Sequence, residues 1–266
     1  MDKYKMIFSD IDGTILDSNH KVSKKTKDVV KKLGRMKIPF ILVSARMPNG
    51  IRTVIKELEI NSPIVAYSGA LVLDEEGSTI SERFIKLQQA LEISHYIRNF
   101  FPGVCVSLYS EDIWFTEDSK NPWIIEEENI TEVKSKQVES FSILGDIKVH
   151  KLLCMGNQYD IRDMEKALID HFTGIKVYKS KSTYLEIMSV NASKSSAMKS
   201  LCEKYKTSME ETIAFGDNYN DIDMLESAGL GVAMGNALDE VKKVADKITF
   251  SNDEDGVYRF INDNRL

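Results

Sequence analysis

Met6-Ile7-Phe8-Ser9-Asp10-Ile11-Asp12-Gly13-Thr14 is a short apolar run that stops at two acids and a glycine. Such a run, bounded by turn residues, reads as a buried strand ending in a loop. The pattern recurs along the chain. Pro39-Phe40-Ile41-Leu42-Val43 ends in Ser44-Ala45-Arg46, and Ile64-Val65-Ala66-Tyr67 ends in Ser68-Gly69. Much later, Thr212-Ile213-Ala214-Phe215 runs into Gly216-Asp217-Asn218-Tyr219-Asn220-Asp221, and Gly231-Val232-Ala233-Met234 follows.

Helical spacing fills the gaps between these strands. Ser23 can cap a helix with Val29, Val30 and Leu33 on one stripe, and Ile51, Val54, Ile55 and Leu58 mark a second. Further helices are predicted over residues 194–205, 222–228 and 239–245. Alternation of strand and helix predicts an α/β fold with a parallel sheet and right-handed crossovers. The polar turns all follow strand C-termini, where open α/β sheets place ligands.

Between the two α/β stretches the rhythm changes. Residues 88–101 have helical spacing, 104–115 alternate like strands, and 121–140 are charged and helical at first. The expected organisation is a core of residues 1–82 and 187–266, interrupted by an α+β insert over 83–186.

Asp10 and Asp12, one residue apart at a strand end, can divide two tasks. One carboxylate can attack, while the other, held by the turn at Gly13, exchanges a proton with a leaving group or water. A carboxylate attacking a phosphate dianion needs positive charge beside it. Mg2+ is the natural choice, because it takes a few carboxylates, several waters and a phosphate. Asp217 and Asp221 can supply further acids. The phosphate oxygens need fixed donors, for which Ser44 with the amides of Ala45 and Arg46, Lys194 at a helix start, and Asn220 are candidates.

Hydrophobic residues make up 42% and charged residues 29% of the 266, so the chain should fold. A net charge of -6 argues against a general nucleic-acid partner. Cys105, Cys154 and Cys202 lack any CxxC pairing and read as buried thiols. The opening residues are too short and charged an apolar run for a signal peptide, and no stretch reaches the roughly 18 apolar residues of a membrane helix. The expected location is the cytoplasm, with no membrane partner. His20, His95, His150 and His171 show no metal-binding spacing, Asp17 and Asp223 read as solvated or capping, and Trp114 and Trp123 as packing.

Taken in order, these motifs resemble the haloacid dehalogenase superfamily of phosphohydrolases, in the Cof-like branch with a large α/β cap, over nearly the whole chain. The resemblance implies a doubly wound, Rossmann-like core with an inserted cap that selects substrate. It implies Asp10 as nucleophile and metal ligand, and Asp12 as general acid/base that ligates through its backbone carbonyl. Asp217 would complete the Mg2+ site, with Thr14 and Asp221 supporting it from behind or through water. Ser44, Ala45, Arg46, Lys194 and Asn220 would face phosphate or substrate. Ala233-Met234-Gly235-Asn236-Ala237 and Ser251-Asn252-Asp253-Glu254-Asp255-Gly256-Val257 also match the branch. Two motifs depart from it: Ser44-Ala45-Arg46 replaces Thr-Gly-Arg, and Ser68-Gly69-Ala70 replaces Asn-Gly-Ala.

The implied activity is Mg2+-dependent hydrolysis of a small-molecule phosphate monoester, such as a sugar phosphate or cofactor phosphate, through an aspartyl phosphate. A sugar phosphomutase using the same residues is the alternative. A signalling module phosphorylated on Asp10 is a third reading, opposed by Asp12 and by the insert.

Overall fold

The computed structural model describes residues 3–264. Met6–Ser9 forms the strand that organises the core, and all four of its residues are buried. It pairs in parallel with Phe40–Val43 on one side and Thr212–Gly216 on the other. Burial on both faces explains why these strands are apolar throughout instead of alternating.

The core sheet runs in the order Lys247–Ile248, Leu230–Ala233, Thr212–Gly216, Met6–Ser9, Phe40–Val43, Ile64–Ala66, Leu71–Leu73, Thr79–Glu82. The first six are parallel and the last two are antiparallel additions to one edge. From Met6–Ser9 the chain winds outward in one direction, and from Thr212–Gly216 in the other. That reversal creates a crevice at the strand C-termini, between the loop that starts at Asp10 and the loop that starts at Asp217.

Helices flank the sheet where the apolar spacing places them. In Lys24–Arg35, the Ser23 hydroxyl accepts from the Thr26 amide, and Val29, Val30 and Leu33 are buried. Pro48–Leu58 buries Ile51, Val54 and Leu58, and Lys194–Tyr205 starts at Ser193, whose hydroxyl accepts from the Ser196 amide. Gly256–Asp263 adds an amphipathic turn with Val257, Phe260 and Ile261 buried.

One compact unit comprises the chain up to Glu82 and from Ser193 onward, and Arg83–Ala192 is the other. The second crossing therefore falls six residues later than the expected 186/187 boundary. The reason is pairing: Tyr184–Ser189 is hydrogen-bonded to Lys151–Met155 and Ile175–Lys181 within the insert. The insert sheet runs Ile175–Lys181, Tyr184–Ser189, Lys151–Met155, Cys105–Ser110, Ile113–Thr116, Lys136–Gln137. Leu87–Phe100 and Gln158–His171 pack on it, so that Ile93, Ile97, Ile161, Met164 and Leu168 join Leu108, Leu152, Leu185 and Ile187 in one cluster.

All three cysteines are buried thiols, as expected, and burial pushes Cys105 up to about 12. Trp114 is fully buried in the insert, with its ring stacked on Tyr109. Among the described residues no helix is long and apolar enough to cross a membrane.

Leu152 is fully buried at the middle of the insert sheet. Leu152→Ala should cost about 2–5 kcal/mol in urea unfolding, the transfer of its methyls plus the residual cavity. A loss below about 1 kcal/mol would mean the insert core is not closely packed.

Candidate active site

Three segments converge at the crevice. The first strand delivers Asp10, which is 6% exposed, at its C-terminal end. The strand Thr212–Gly216 delivers Asp217, and the single-turn helix Tyr219–Asp221 after it presents Asp221. Helix Lys194–Tyr205 begins with Lys194, whose fully buried side chain reaches both acids. Its ammonium donates to Asp10 Oδ1 at 2.5 Å and to Asp221 Oδ1 at 2.6 Å, with the Val43 carbonyl at 3.4 Å.

Asp221 is tied down further, because its Oδ2 accepts from the amides of Asp217 and Asn218, both at 3.0 Å. The Thr14 hydroxyl donates to Asp217 Oδ1 at 2.7 Å. Gly13 makes this approach feasible. It lies at φ +83, and a Cβ there would collide with the Asp217 carboxylate. Gly69, at φ +99, does the same next to the Ser193 carbonyl, bringing the third strand's turn against the start of the Lys194 helix.

Carboxylate oxygens of Asp10, Asp217 and Asp221 all lie within 4.8 Å of one another. Opposite ligands of an octahedral Mg2+ stand about 4.2 Å apart, twice its roughly 2.1 Å bond, so the donor set fits a small hard cation with slight closure. The charge balance agrees. Three acids face one ammonium, and burial pushes Asp10 well above the ordinary carboxylate range, with Lys194 opposing and Asp221 and Asp217 reinforcing. Burial lifts Asp217 to about 6, against the Thr14 hydrogen bond and with help from the Asp221 charge. Burial alone would lower the Lys194 ammonium, but Asp10 and Asp221 outweigh it and raise it. The cluster is short of positive charge.

Ser44 is buried after the second strand, where its hydroxyl accepts from the Arg46 amide at 3.2 Å. Its proton remains to donate. The Ser44 carbonyl accepts from the Ser68 amide at 2.8 Å, linking the turns after the second and third strands. Ser68 is buried with a hydroxyl that has no hydrogen-bond partner among the described residues. Asn220 lies half-buried in the turn beside Asp221, and Ala45 lies between Ser44 and Arg46. The Arg46 guanidinium is paired with the Asp12 carboxylate.

Several contributors lie outside the candidate site residues. The Asn236 amide donates to the Gly13 carbonyl at 2.8 Å, and Asn236 Oδ1 accepts from the Asn252 amide at 3.0 Å. Asn252 in turn donates to the Leu16 carbonyl at 2.9 Å, so the tail segments brace the Asp10–Asp12 loop. Asp223 accepts from the Ser195 amide and hydroxyl at 3.0 and 2.8 Å, capping the Lys194 helix where its dipole is positive. Asp17 accepts from the Asn19 and Lys21 amides in a local turn.

Asp217 generates a testable pH dependence. Its folded value of about 6 exceeds the roughly 3.9 of an unfolded aspartate, so between these values the folded state holds more protons. Ionisation therefore removes stability as pH rises through that window. In EDTA, Asp217→Asn should be more stable than the native protein at pH 7, with the advantage gone at pH 4 and reversed at pH 7 by Mg2+. Urea unfolding at the two pH values checks it, and an equal difference at both would contradict the strain.

Residues 7–261 match the family of haloacid dehalogenase-like hydrolases. A Haemophilus influenzae protein whose name assigns it provisionally to the phosphatases is 38% identical over 254 residues, covering 96% of this chain and 95% of its own. The Bacillus subtilis 5-amino-6-(5-phospho-D-ribitylamino)uracil phosphatase YcsE is 26% identical over 261 residues, covering 97% and 94%. A crystal structure of a haloacid dehalogenase-like hydrolase from Bacteroides thetaiotaomicron superposes with a TM-score of 0.91 at 30% identity, covering 98% of this chain and 100% of that one. With the fold, the crevice and these relatives in agreement, the chain belongs to the haloacid dehalogenase-like hydrolases and is an enzyme of their phosphatase branch.

Proposed function

We propose that this phosphatase hydrolyses a small-molecule phosphate monoester, a sugar phosphate or a cofactor phosphate, through an aspartyl phosphate on Asp10, with Mg2+ as cofactor. The observation that carries the reading is the grouping of buried Asp10 and Asp221 with half-buried Asp217, the first two paired with one ammonium, Lys194. Nucleophile, candidate cation ligands and a fixed positive charge stand together at a strand end.

In the first step an Asp10 oxygen forms a bond to phosphorus while the bond to the ester oxygen breaks. Asp12 gives its proton to the leaving oxygen. In the second step water attacks phosphorus, Asp12 takes the water's proton, and the bond to Asp10 breaks to release phosphate and the free carboxylate. Lys194, with the Ser44 hydroxyl and the amides after it, holds the phosphoryl oxygens without reorganising. Asp10, Asp217 and the Asp12 carbonyl would hold the cation, with Asp221 and Thr14 steadying them. When bound, Mg2+ neutralises the repulsion between carboxylate and phosphate.

Asn220 is assigned to the substrate side of the same loop. The groups gathered in the core all address phosphate, so selection among esters is assigned to the insert. The 5-amino-6-(5-phospho-D-ribitylamino)uracil phosphatase among the relatives supports a small polar ester as substrate class.

Asp10→Asn should lower phosphate release from p-nitrophenyl phosphate by about 10³-fold or more, since the covalent route is lost. EDTA should silence the native enzyme and Mg2+ should restore it. A panel of sugar and cofactor phosphates, read by free phosphate, then identifies the substrate class. Undiminished release by Asp10→Asn would sink the covalent mechanism, and activity indifferent to EDTA would sink the cation.

A further inference from the structure

We propose that Arg46 is the positioning residue for Asp12, holding the carboxylate that exchanges the proton in place of binding the substrate phosphate. The inference rests on the reading of Asp12 given above. It starts from a contrast in burial. The Asp10 side chain is 9% exposed and anchored by Lys194, whereas the Asp12 side chain, two residues later, is 48% exposed.

An acid/base group so open to water samples several rotamers unless something holds it, and proton transfer works only within hydrogen-bond reach. Arg46 is the holder. Its Nε donates to Asp12 Oδ2 at 2.9 Å and its Nη2 to Asp12 Oδ1 at 2.5 Å, so both carboxylate oxygens are gripped by one planar fork. Among the described residues no other hydrogen bond reaches that carboxylate.

Arg46 is itself fixed from both sides of its backbone. Its amide donates to Ser44 Oγ at 3.2 Å, and its carbonyl accepts from the Tyr67 amide at 3.1 Å. The turns after the second and third strands therefore set the guanidinium, and the guanidinium sets Asp12. Two-point geometry is specific to arginine, because a lysine ammonium offers a single charge on a flexible stem.

The pair acts most directly in the second half of turnover, where Asp12 must stand beside the attacking water. p-Nitrophenolate leaves without a proton, so with that substrate transfer to Asp10 proceeds while hydrolysis of the aspartyl phosphate lags. Pre-steady-state kinetics of the Mg2+-loaded enzyme on p-nitrophenyl phosphate therefore separate the two roles open to Arg46. Arg46→Gln should lower kcat about tenfold or more with KM falling in proportion, so that kcat/KM is retained within about threefold, and should release a burst of nitrophenolate approaching one per enzyme. Arg46→Lys should fall between Arg46→Gln and the native enzyme.

In the Asp12→Asn background, adding Arg46→Gln should change the rate by less than twofold, because the positioned group is already gone. The inference is overturned if Arg46→Gln raises KM with kcat retained and shows no burst, or if it costs as much in the Asp12→Asn background as in the native one. Either result makes Arg46 a phosphate ligand. Asp12→Asn alone distinguishes the levels of failure: native turnover in that variant removes the acid/base assignment itself, whereas its loss with Arg46→Gln unaffected removes only the positioning role.

Discussion

The buried ion cluster centred on Lys194 is the constraint on which the rest of the crevice depends. An ammonium with no exposed surface is tolerated only when anions meet it at hydrogen-bond distance, and Asp10 and Asp221 do so from two different loops. Because Lys194 opens a helix, Asp10 ends a strand and Asp221 closes a turn, the pairing locks three parts of the core into one arrangement. Asp223 at the helix start and the amides of Asp217 and Asn218 on Asp221 complete the bracing. The fold stabilises the cluster, and the cluster's unbalanced negative charge leaves it receptive to a cation.

Asp10 and Asp12, one residue apart, show how two carboxylates of one loop come to lie in different surroundings. One is sealed against the Lys194 ammonium in a region of low dielectric. The other stands at the edge, gripped by a guanidinium and open to water. The loop that carries them turns at Gly13, just after Asp12, and the side chains of Asn236 and Asn252 hold that loop from the tail of the chain.

Much of this was legible in the residues, and the reason is local. Strands buried on both faces read as continuous apolar runs, and each stops where polar turn residues begin, so Asp10, Ser44 and Asp217 could be placed at strand ends. What escaped was nonlocal or brief. Leu71–Leu73 and Thr79–Glu82 are short edge strands after a turn held by left-handed Tyr67 and Ser68. Gly256–Asp263 follows Asp255 in a left-handed conformation and spans eight residues, close to the shortest segment with readable periodicity. Lys151–Met155 is a lysine followed by four apolar residues, a run that spacing alone cannot assign to helix or strand, and without it the place of Tyr184–Ser189 in the insert could not be seen. The grip of Arg46 on Asp12 joins two turns 34 residues apart and leaves no trace in either.

The parallel pairing of Met6 with Thr212 has a consequence for biosynthesis. A ribosome delivers the first strand early, but its neighbour on one side does not exist until residues 212–216 have emerged, so half of its hydrogen bonds must wait. The insert, whose strand partners all lie between 83 and 192, can be completed in the meantime. Closing a loop of some two hundred residues is then made easier, because a folded body stands between the ends where a long flexible chain would otherwise have to be drawn in. Assembly of the crevice is thus the final act of synthesis, and a truncated chain lacking its last quarter would carry Asp10 and Lys194 without Asp217 and Asp221.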